Sequence, residues 1–182
     1  MPQPDERNIL LIKGCIAQNP KSQKALFDTF APTMYAICFR YAKNSDQAKD
    51  LLQEGFIKVY TKLSEFKFEG SFEGWLKRIF INHALEYIRK EMRQPDMVNV
   101  EDVHELSSTT FQFHGLDTQQ ILAQIQKLPT GYRTVINLYI IEGYSHKEIA
   151  ELLGVSESTS KTQLHKGRHM LQKMLTNFNY GK

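Results

Sequence analysis

The sequence predicts an all-α protein made of two small helical domains joined by an extended linker. Apolar residues recur at helical spacing through most of the 182 residues, whereas no segment alternates apolar and polar side chains as a half-buried strand would. Residues 94–117 show neither repeat, and their five charged residues are all acidic. We therefore expect domains at 1–93 and 118–182, with 94–117 as the tether between them.

Composition excludes several classes of protein. Hydrophobic residues make up 41% and charged residues 24% of the chain, values typical of a folded globular protein. No apolar run approaches the roughly 20 residues of a membrane-spanning helix. Acidic side chains stand at the amino terminus, where a secretory signal needs unopposed basic ones. Cys15 and Cys38 are too few for a disulfide scaffold or a four-thiolate metal site. We therefore expect a cytoplasmic protein.

Charge falls into three blocks along the chain. Residues 1–93 carry 15 Lys and Arg against 11 Asp and Glu, and residues 118–182 carry eight against four. A basic block favours a polyanion through counterion release, although a solvated surface accounts for so small an excess equally well. The acidic tether between the two blocks either extends into solvent or lies in a basic channel of a partner.

Four helices are predicted in the first domain. Their approximate bounds are 9–17, 25–41, 45–66 and 75–93. Asn19 and Pro20 end the first, a bend is expected near Pro32 in the second, and the polar residues 44–46 cap the third. Gly70 and Gly74 bracket the loop before the fourth.

The third predicted helix carries two faces. One is an apolar stripe that we expect in the core, made up of Leu52, Gly55, Phe56, Val59 and Leu63. The other follows steps of three and four residues and consists of Asp50, Gln53, Glu54 and Ile57. A polar face is usually only solvated, but an apolar side chain among hydrogen-bonding groups suits a seam with a partner helix.

Residues 50–59 read DLLQEGFIKV, which resembles region 2.2 of bacterial RNA polymerase sigma factors. In that family the segment grips the coiled coil of the polymerase clamp. The resemblance implies that this face of the helix contacts core RNA polymerase through Asp50, Gln53, Glu54 and Ile57.

The next segment combines aromatic and basic residues. Residues 66–75 read FKFEGSFEGW, and Lys and Arg follow in the fourth helix. Rings beside cations are typical of a single-stranded nucleic-acid site, where each stacked base contributes about 1–3 kcal/mol. For Trp75 the alternative is burial against the third helix. Asn82, His83 and Glu86 are expected to share one side of the fourth helix, where they either read base edges or face solvent.

Residues 75–90 read WLKRIFINHALEYIRK, which resembles regions 2.3 and 2.4 of the extracytoplasmic-function (ECF) group of sigma factors. In that group this element recognises and melts the −10 promoter element, and a loop holds an extruded base. The resemblance assigns the −10 contacts to Phe66, Lys67, Phe68, Phe72, Trp75, Arg78, Asn82, His83 and Glu86.

A helix-turn-helix is predicted in the second domain, whose helices are expected at 118–128, 130–142, 145–153 and 157–178. Ser145 and Glu148 form a capping box, Gly154 suits the left-handed turn, and Ser156 caps the next helix. The spacing of Ala150 and Gly154 ahead of a capped helix is specific for this motif.

The last predicted helix separates into an inward and an outward face. The inward stripe consists of Ser160, Leu164, Gly167, Leu171, Met174 and Phe178. An inserted helix reads base edges with its amino-terminal residues and holds phosphates with its cations, whereas an ordinary amphipathic helix is the alternative. The DNA contacts are expected from Ser156, Ser158, Lys161, Thr162, His165, Lys166 and Arg168.

Residues 128–159 resemble region 4 of ECF sigma factors, which binds the −35 element. Ser160 stands where many members have Val, and Gln163 where many have Arg. A buried Ser160 needs a hydrogen-bond partner, which we expect to be the carbonyl four residues earlier. Both departures bear on the preferred −35 sequence rather than on the role.

The resemblance extends over about 20–178 with its motifs in order. It implies that the tether acts as the short region 3.2, which threads the polymerase. The implied partners are core RNA polymerase, promoter DNA and an anti-sigma factor, and the chain is expected to be monomeric when free of polymerase. His165 and His169 lack the intervening Glu of a zinc-protease motif, so we expect no enzyme, metal, cofactor or small-molecule substrate. A helix-turn-helix regulator with an unrelated first domain is the alternative.

Overall fold

The computed structural model describes residues 6–92 and 118–180. It confirms the all-α class, since every regular element within those residues is a helix. The chain separates into two compact units, with the boundary after Tyr87. The tether predicted at 94–117 lies outside the described residues, so the predicted domain bounds stay a prediction. Within the described part, none of the helices combines the length and the apolarity that crossing a membrane requires.

Residues 6–92 form four α-helices. They are α1 (Glu6–Ile16), α2 (Pro20–Tyr41), α3 (Ser45–Lys62) and α4 (Phe72–Met92). Asn19 caps α2, because its side-chain oxygen accepts hydrogen bonds from the Lys21 and Ser22 amides at 2.9 and 3.4 Å. Helix α2 continues through Pro32 to Tyr41 as one helix.

Helices α3 and α4 have different ends from those predicted. Helix α3 begins after its predicted cap, since the Asn44 side chain accepts a 2.9 Å bond from the Gln47 amide. It ends at Lys62, and a 3₁₀ turn (Leu63–Glu65) replaces its predicted last residues. Helix α4 begins at Phe72 rather than Trp75, because the Ser71 hydroxyl accepts the Gly74 amide at 3.2 Å and stabilises the first turn.

The core of the first unit forms where α3 crosses α4. The Phe56 ring lies 5.3 Å from Phe80 and 4.7 Å from Phe27. A Cβ atom on Gly55 would lie 2.2 Å from the Phe80 ring, so only glycine fits at this crossing. The predicted apolar stripe is wrong at one position, because Leu51 is buried and Leu52 is only half-buried. The buried face is rotated by one residue at this end of the helix.

The second unit contains α5 (Thr118–Gln126), α6 (Thr130–Ile136), α7 (His146–Leu153) and α8 (Glu157–Tyr180). The helix predicted at 130–142 widens after α6 into a π-helical turn, Asn137–Ile141. The Glu142 amide donates to the Asn137 carbonyl at 3.0 Å, five residues back. A π turn of this kind is often found at a functional site.

Packing of the second unit is centred on α6 and α8. A Cβ atom on Gly167 would lie 2.9 Å from the Ile136 side chain, so glycine permits the close approach of the two helices. The inward stripe of α8 is buried as predicted at Ser160, Leu164, Gly167 and Leu171. Beyond it Met174 is half-buried and Leu175 is buried instead, and the side chain of Phe178 lies outside the described part.

Candidate nucleic-acid interface and docking face

The predicted docking face of α3 is exposed. Ile57 has 63% of its surface accessible and lies among the polar side chains of this face. A shallow groove runs beside it and is lined by Asn44, Asp46, Gln47, Asp50, Leu51, Gln53, Glu54, Ile57 and Tyr87. We call this group of residues the α3 groove. Its carboxylates and its exposed apolar side chain suit a partner helix that carries basic and apolar residues.

His83 does not lie on the predicted base-reading side of α4. Only 6% of its surface is exposed, and its Nε2 atom lies 3.2 Å from a carboxylate oxygen of Glu54 on α3. The prediction was wrong because His83 shares the inward side of α4 with Phe80 and Ala84, three residues before and one after it. His83 is therefore covered where α4 crosses α3 and lies beside Glu54, not on the exposed side of α4.

Glu86 is engaged by a residue that the sequence reasoning missed. The Lys58 ammonium lies 2.6 Å from a Glu86 carboxylate oxygen, and both side chains are partly exposed. The two residues are 28 positions apart, so no local spacing pointed to this pair. Arg78 and Asn82, which lie one turn apart on α4, are exposed as predicted.

Two of the aromatic residues assigned to base stacking are buried. Phe66 and Phe72 have 5% and 2% of their surfaces exposed. Their ring centroids lie 5.2 Å apart, and Phe72 packs edge-on against Phe30 at 5.5 Å. The prediction that these two rings stack on bases is therefore wrong in this conformation. Instead, their packing in the core holds the two ends of the loop between residues 66 and 72 in place.

Phe68, Lys67 and Trp75 remain accessible at the loop. Phe68 is half-buried and has a φ of +58°, a left-handed conformation that is costly for a bulky side chain. Trp75 is half-buried and stacks on Phe72 with centroids 5.7 Å apart. Lys67, which directly precedes Phe68, is exposed. Strained backbone of this kind is concentrated at functional sites. Together with Arg78 and Asn82 of α4, these three residues belong to the accessible part of the predicted −10 site.

The helix-turn-helix is present with the predicted caps. The Ser145 amide donates to the Glu148 carboxylate at 2.8 Å, and the Glu148 amide donates back to the Ser145 hydroxyl at 3.3 Å. Gly154 adopts the left-handed conformation with a φ of +68°. The Ser156 hydroxyl accepts the Thr159 amide at 3.0 Å. Ser156 therefore serves as the cap of α8.

The outward face of α8 is exposed as predicted. Its accessible members are Ser158, Lys161, Thr162, His165 and Arg168, and Lys166 is half-buried. Lys161 forms a 2.7 Å ion pair with Glu157, four residues earlier. Exposed pairs of this kind contribute at most about 1 kcal/mol, so a phosphate can replace Glu157 at little cost.

The two residues that depart from the family pattern are both directed inward. Ser160 is fully buried, and its hydroxyl lies 2.9 Å from Nδ1 of His146. The expected carbonyl partner is thus replaced by an imidazole from α7. Gln163 is half-buried, and its amide lies beside Gly131, where an added Cβ would approach it to 3.1 Å. Neither side chain adds to the outward face.

An aromatic contact beside α8 was not predicted from the sequence. The Tyr139 ring in the π turn stacks on the His146 ring with centroids 4.5 Å apart. The Arg168 guanidinium lies over the same Tyr139 ring, 5.8 Å from its centroid. No periodic pattern signals such a contact, because a π turn shifts the phase of the helix.

Within residues 6–92 and 118–180, no three His, Cys, Asp or Glu side chains come together as metal ligands would. The two cysteines are buried thiols. Burial raises the pKa of Cys38 to about 12 and also raises that of Cys15. Both thiols are therefore poor nucleophiles at neutral pH.

Comparison with known proteins identifies the family. The family model described as Sigma-70 region 2 matches residues 26–94, and that of Sigma-70, region 4 matches residues 118–171. The chain is 32% identical over 184 residues to the ECF RNA polymerase sigma factor SigW of Bacillus subtilis, covering 91% of this chain and 97% of SigW. This chain belongs to the ECF RNA polymerase sigma factors.

Other relatives agree with this assignment. The ECF sigma factor SigX of Bacillus subtilis is 32% identical over 157 residues, covering 81% of this chain and 80% of SigX. The sigma factor RpoE from Bartonella quintana, solved with the anti-sigma factor NepR, superposes with a TM-score of 0.50 at 26% identity over 84% of this chain and 96% of RpoE. The fold of this sigma factor and the predicted family are confirmed. Sigma factors are transcription initiation factors rather than catalytic enzymes.

Proposed function

We propose that this sigma factor binds core RNA polymerase, directs it to specific promoters and helps to melt the −10 element. The observation that carries the proposal is the capped helix-turn-helix, whose second helix presents a cationic face, in a chain of the ECF sigma family. A helix of this kind enters the major groove, where its first residues reach base edges. The α3 groove and the loop between Phe66 and Phe72 are then assigned to polymerase docking and to melting of the −10 element.

Docking on polymerase is assigned to the α3 groove. Ile57 supplies uncovered apolar area, and Asp50 and Glu54 supply carboxylates on the same face, two turns and one turn nearer the amino end of α3. Burial of an exposed isoleucine contributes about 1.5–3 kcal/mol when a partner covers it completely. The carboxylates steer a basic partner into register. Gln53 adds a neutral hydrogen-bonding group on the same face.

Recognition of the −35 element is assigned to α8. We assign Ser158, Thr162 and His165 to base edges, and Lys161, Lys166 and Arg168 to phosphates, because these side chains lie on the accessible face of α8. Each phosphate contact releases a counterion, so binding falls steeply as salt rises. The departures at Ser160 and Gln163 leave this face unchanged, since both side chains are directed inward.

Melting of the −10 element is assigned to the loop between Phe66 and Phe72. Unstacking one base costs a few kcal/mol, and stacking it on a ring returns about 1–3 kcal/mol. Phe68 and Trp75 are the accessible rings, and Lys67 is the neighbouring cation. Arg78 and Asn82 extend the site along α4. Phe66 and Phe72 contribute by holding the loop in place.

The acidic segment 94–117 is proposed to follow a basic channel of the polymerase, where a negatively charged chain substitutes for nucleic acid. We place this action in the cytoplasm and expect the chain to be monomeric until it meets polymerase. We also propose an anti-sigma factor that restrains it, as NepR accompanies the related RpoE in the solved complex. The α3 groove is the surface such a partner would cover, because covering it blocks polymerase.

Gel filtration and DNA binding test the proposal together. The full chain is mixed with core RNA polymerase, and the column fractions are assayed on labelled promoter fragments. We expect the chain to co-elute with polymerase and the fragments to be bound tightly only by the complex. A chain that elutes apart from polymerase and binds a palindromic site as a dimer would instead be a conventional regulator.

A further inference from the structure

Four side chains from three elements meet behind the outward face of α8. They are Tyr139 of the π turn, His146 at the start of α7, and Ser160 and Arg168 of α8. His146 is central, because it contacts both Tyr139 and Ser160. None of these contacts follows from the helix-turn-helix pattern itself. We call this group the His146 cluster.

The bond between His146 and Ser160 joins the two helices of the motif. Ser160 is fully buried, and Nδ1 of His146 lies 2.9 Å from its hydroxyl oxygen. A buried hydroxyl that loses its partner is costly, so this bond fixes both the imidazole and the first turns of α8. The neutral imidazole can donate or accept here, and the protonated ring can still donate.

The stacked rings extend this support to a cation. The Tyr139 and His146 rings are nearly parallel, with 22° between their planes and 4.5 Å between their centroids. Arg168 then places its guanidinium 5.8 Å from the Tyr139 centroid. A guanidinium over a ring is attracted to it and loses rotational freedom. Ser160, His146, Tyr139 and Arg168 thus form one continuous chain of contacts.

The electrostatic surroundings of His146 disfavour its charged form. Partial burial lowers the pKa of His146, and the nearby Lys161 and Arg168 lower it further, while Glu157 raises it. The groups that face the imidazole are thus Tyr139 from the π turn and Glu157, Lys161 and Arg168 from α8. Lys161 and Arg168 are the same cations that we assign to DNA.

We propose that His146 is a positioning residue for DNA binding, which sets the place of Arg168 through Tyr139 and the place of the recognition helix through Ser160. The inference rests on the proposed function of α8. It makes Tyr139 and His146 residues that position the helix-turn-helix for DNA binding, although neither is assigned a contact with DNA. Phosphates that meet Lys161 and Arg168 also remove the repulsion that these cations exert on a proton at His146.

A double-mutant cycle tests the path through Tyr139. The full chain and its variants Tyr139→Leu, Arg168→Ala and the double variant are titrated with a short duplex of mixed sequence at several salt concentrations. We expect each single variant to lower the slope of log K against log salt by up to about one unit. The double variant should match Arg168→Ala alone. Additive losses would overturn the path through Tyr139.

Lys173→Ala serves as the control in this cycle. Lys173 is an exposed cation on α8, five residues beyond Arg168, and we do not place it at DNA. Its removal should leave the slope nearly unchanged. A slope that falls equally for Lys173→Ala and Arg168→Ala would show that the duplex senses only total charge, and that result would overturn the assignment of Arg168.

Rescue tests the bond between His146 and Ser160. The variant His146→Phe keeps a ring beneath Tyr139 but leaves Ser160 buried without a partner. We expect it to bind the duplex several-fold more weakly, and the double variant with Ser160→Val to recover most of the loss, because an apolar pair of similar shape replaces a polar one. If His146→Phe alone does not fold, duplex binding by the double variant is compared with that of the unmodified chain. A double variant that binds no better than the single one would overturn the proposal.

The titration of His146 distinguishes this inference from the proposed function. Nuclear magnetic resonance of the ring protons should show its pKa rising when the mixed-sequence duplex is added, and His165→Gln separates this signal from the exposed histidine on α8. If the chain binds the duplex and the pKa of His146 does not change, the inference about His146 is wrong, but the proposed function is not contradicted. A chain that binds no duplex, alone or with polymerase, would remove both.

Discussion

Helices α4 and α8 are both proposed to face DNA, yet they differ in where their polar side chains find partners. On α8 Lys161 pairs with Glu157 of the same helix, and Ser160 and Arg168 contact the adjacent α7 and π turn. On α4 Lys77 likewise pairs with Glu73 four residues earlier, but His83 and Glu86 reach another helix, since they contact Glu54 and Lys58 on α3. Helix α3 is also the proposed docking surface for polymerase.

The difference has a functional consequence. A change on α8 should stay within the second unit, because the partners of its outward face, Glu157 of α8 and Tyr139 of the π turn, both belong to that unit. A change on α3 should affect both polymerase docking and the −10 residues of α4, because the two helices share polar pairs and an aromatic seam. In the proposed function the first unit therefore links two steps of initiation, polymerase docking and −10 melting, whereas the second carries out −35 binding.

The largest effect is expected from Phe80→Ala at the seam between α3 and α4. Phe80 is fully buried and packs against Phe56, so its loss should lower the free energy of unfolding by about 3–5 kcal/mol. Denaturant unfolding of the first unit measures this loss. Binding of a mixed-sequence duplex through α8 should persist, and its disappearance would contradict the independence of α8.

Glu54→Lys should weaken polymerase binding at least about tenfold, or 1.4 kcal/mol. The substitution reverses a charge in the α3 groove and places an ammonium beside His83. Co-purification with core polymerase measures the effect. Asp28→Lys makes the same charge change on α2, outside the groove, and should co-purify normally. If the two variants co-purify with core polymerase to the same extent, the assignment of the α3 groove as the docking face is wrong.

Lys161→Ala should weaken duplex binding by roughly 1 kcal/mol and lower the salt slope by about one unit. Titrations of the full chain at several salt concentrations measure both. Polymerase binding should not change, because Lys161 lies on α8 and its ion pair is local. A slope that stays constant would show that Lys161 meets no phosphate.

The pair between Lys58 and Glu86 should have a small coupling energy, about 0.2–1 kcal/mol, since both side chains are partly exposed. The cycle uses Lys58→Met, Glu86→Gln and the double variant, read out by urea unfolding. Opening of a −10 fragment by the complex with polymerase gives the second readout. Energies that simply add would mean that α3 and α4 are not coupled here.

The smallest effect concerns the capping box. Hydrogen bonds from the Ser145 side chain and then from its backbone lower the pKa of Glu148 below its ordinary value of 4.5. The folded state thus favours the carboxylate, so this stabilisation is present above about pH 4.5 and is lost as the pH falls through the lowered pKa. Glu148→Gln should flatten this part of the acid unfolding curve of the second unit. An unchanged curve would exclude the box as its cause.

Local signals made the second unit predictable from sequence. The capping box at Ser145, the left-handed Gly154 and the cap at Ser156 each depend on neighbours within four residues. The outward face of α8 followed from helical spacing alone. The partner of Ser160 did not, because His146 lies 14 positions away and its ring is placed by the fold of the turn.

The first unit was harder to predict because its decisive contacts are distant in sequence. Spacing grouped Asn82, His83 and Glu86, but only the crossing with α3 shows that His83 is covered. Composition suggested that Phe66 and Phe72 stack on bases, but their rings pack against each other in the core, and Phe72 also packs against Phe30. The exposed face around Ile57 was predictable, since its period is that of a single helix.

In vitro transcription on a genomic promoter library tests the central claim most directly. Core RNA polymerase is supplied with or without the purified full chain, and transcript starts are mapped. The chain should produce a defined set of starts, each preceded by shared −10 and −35 sequences, and Glu54→Lys should remove them. If polymerase initiates at the same places with and without the chain, then the chain does not direct it to promoters.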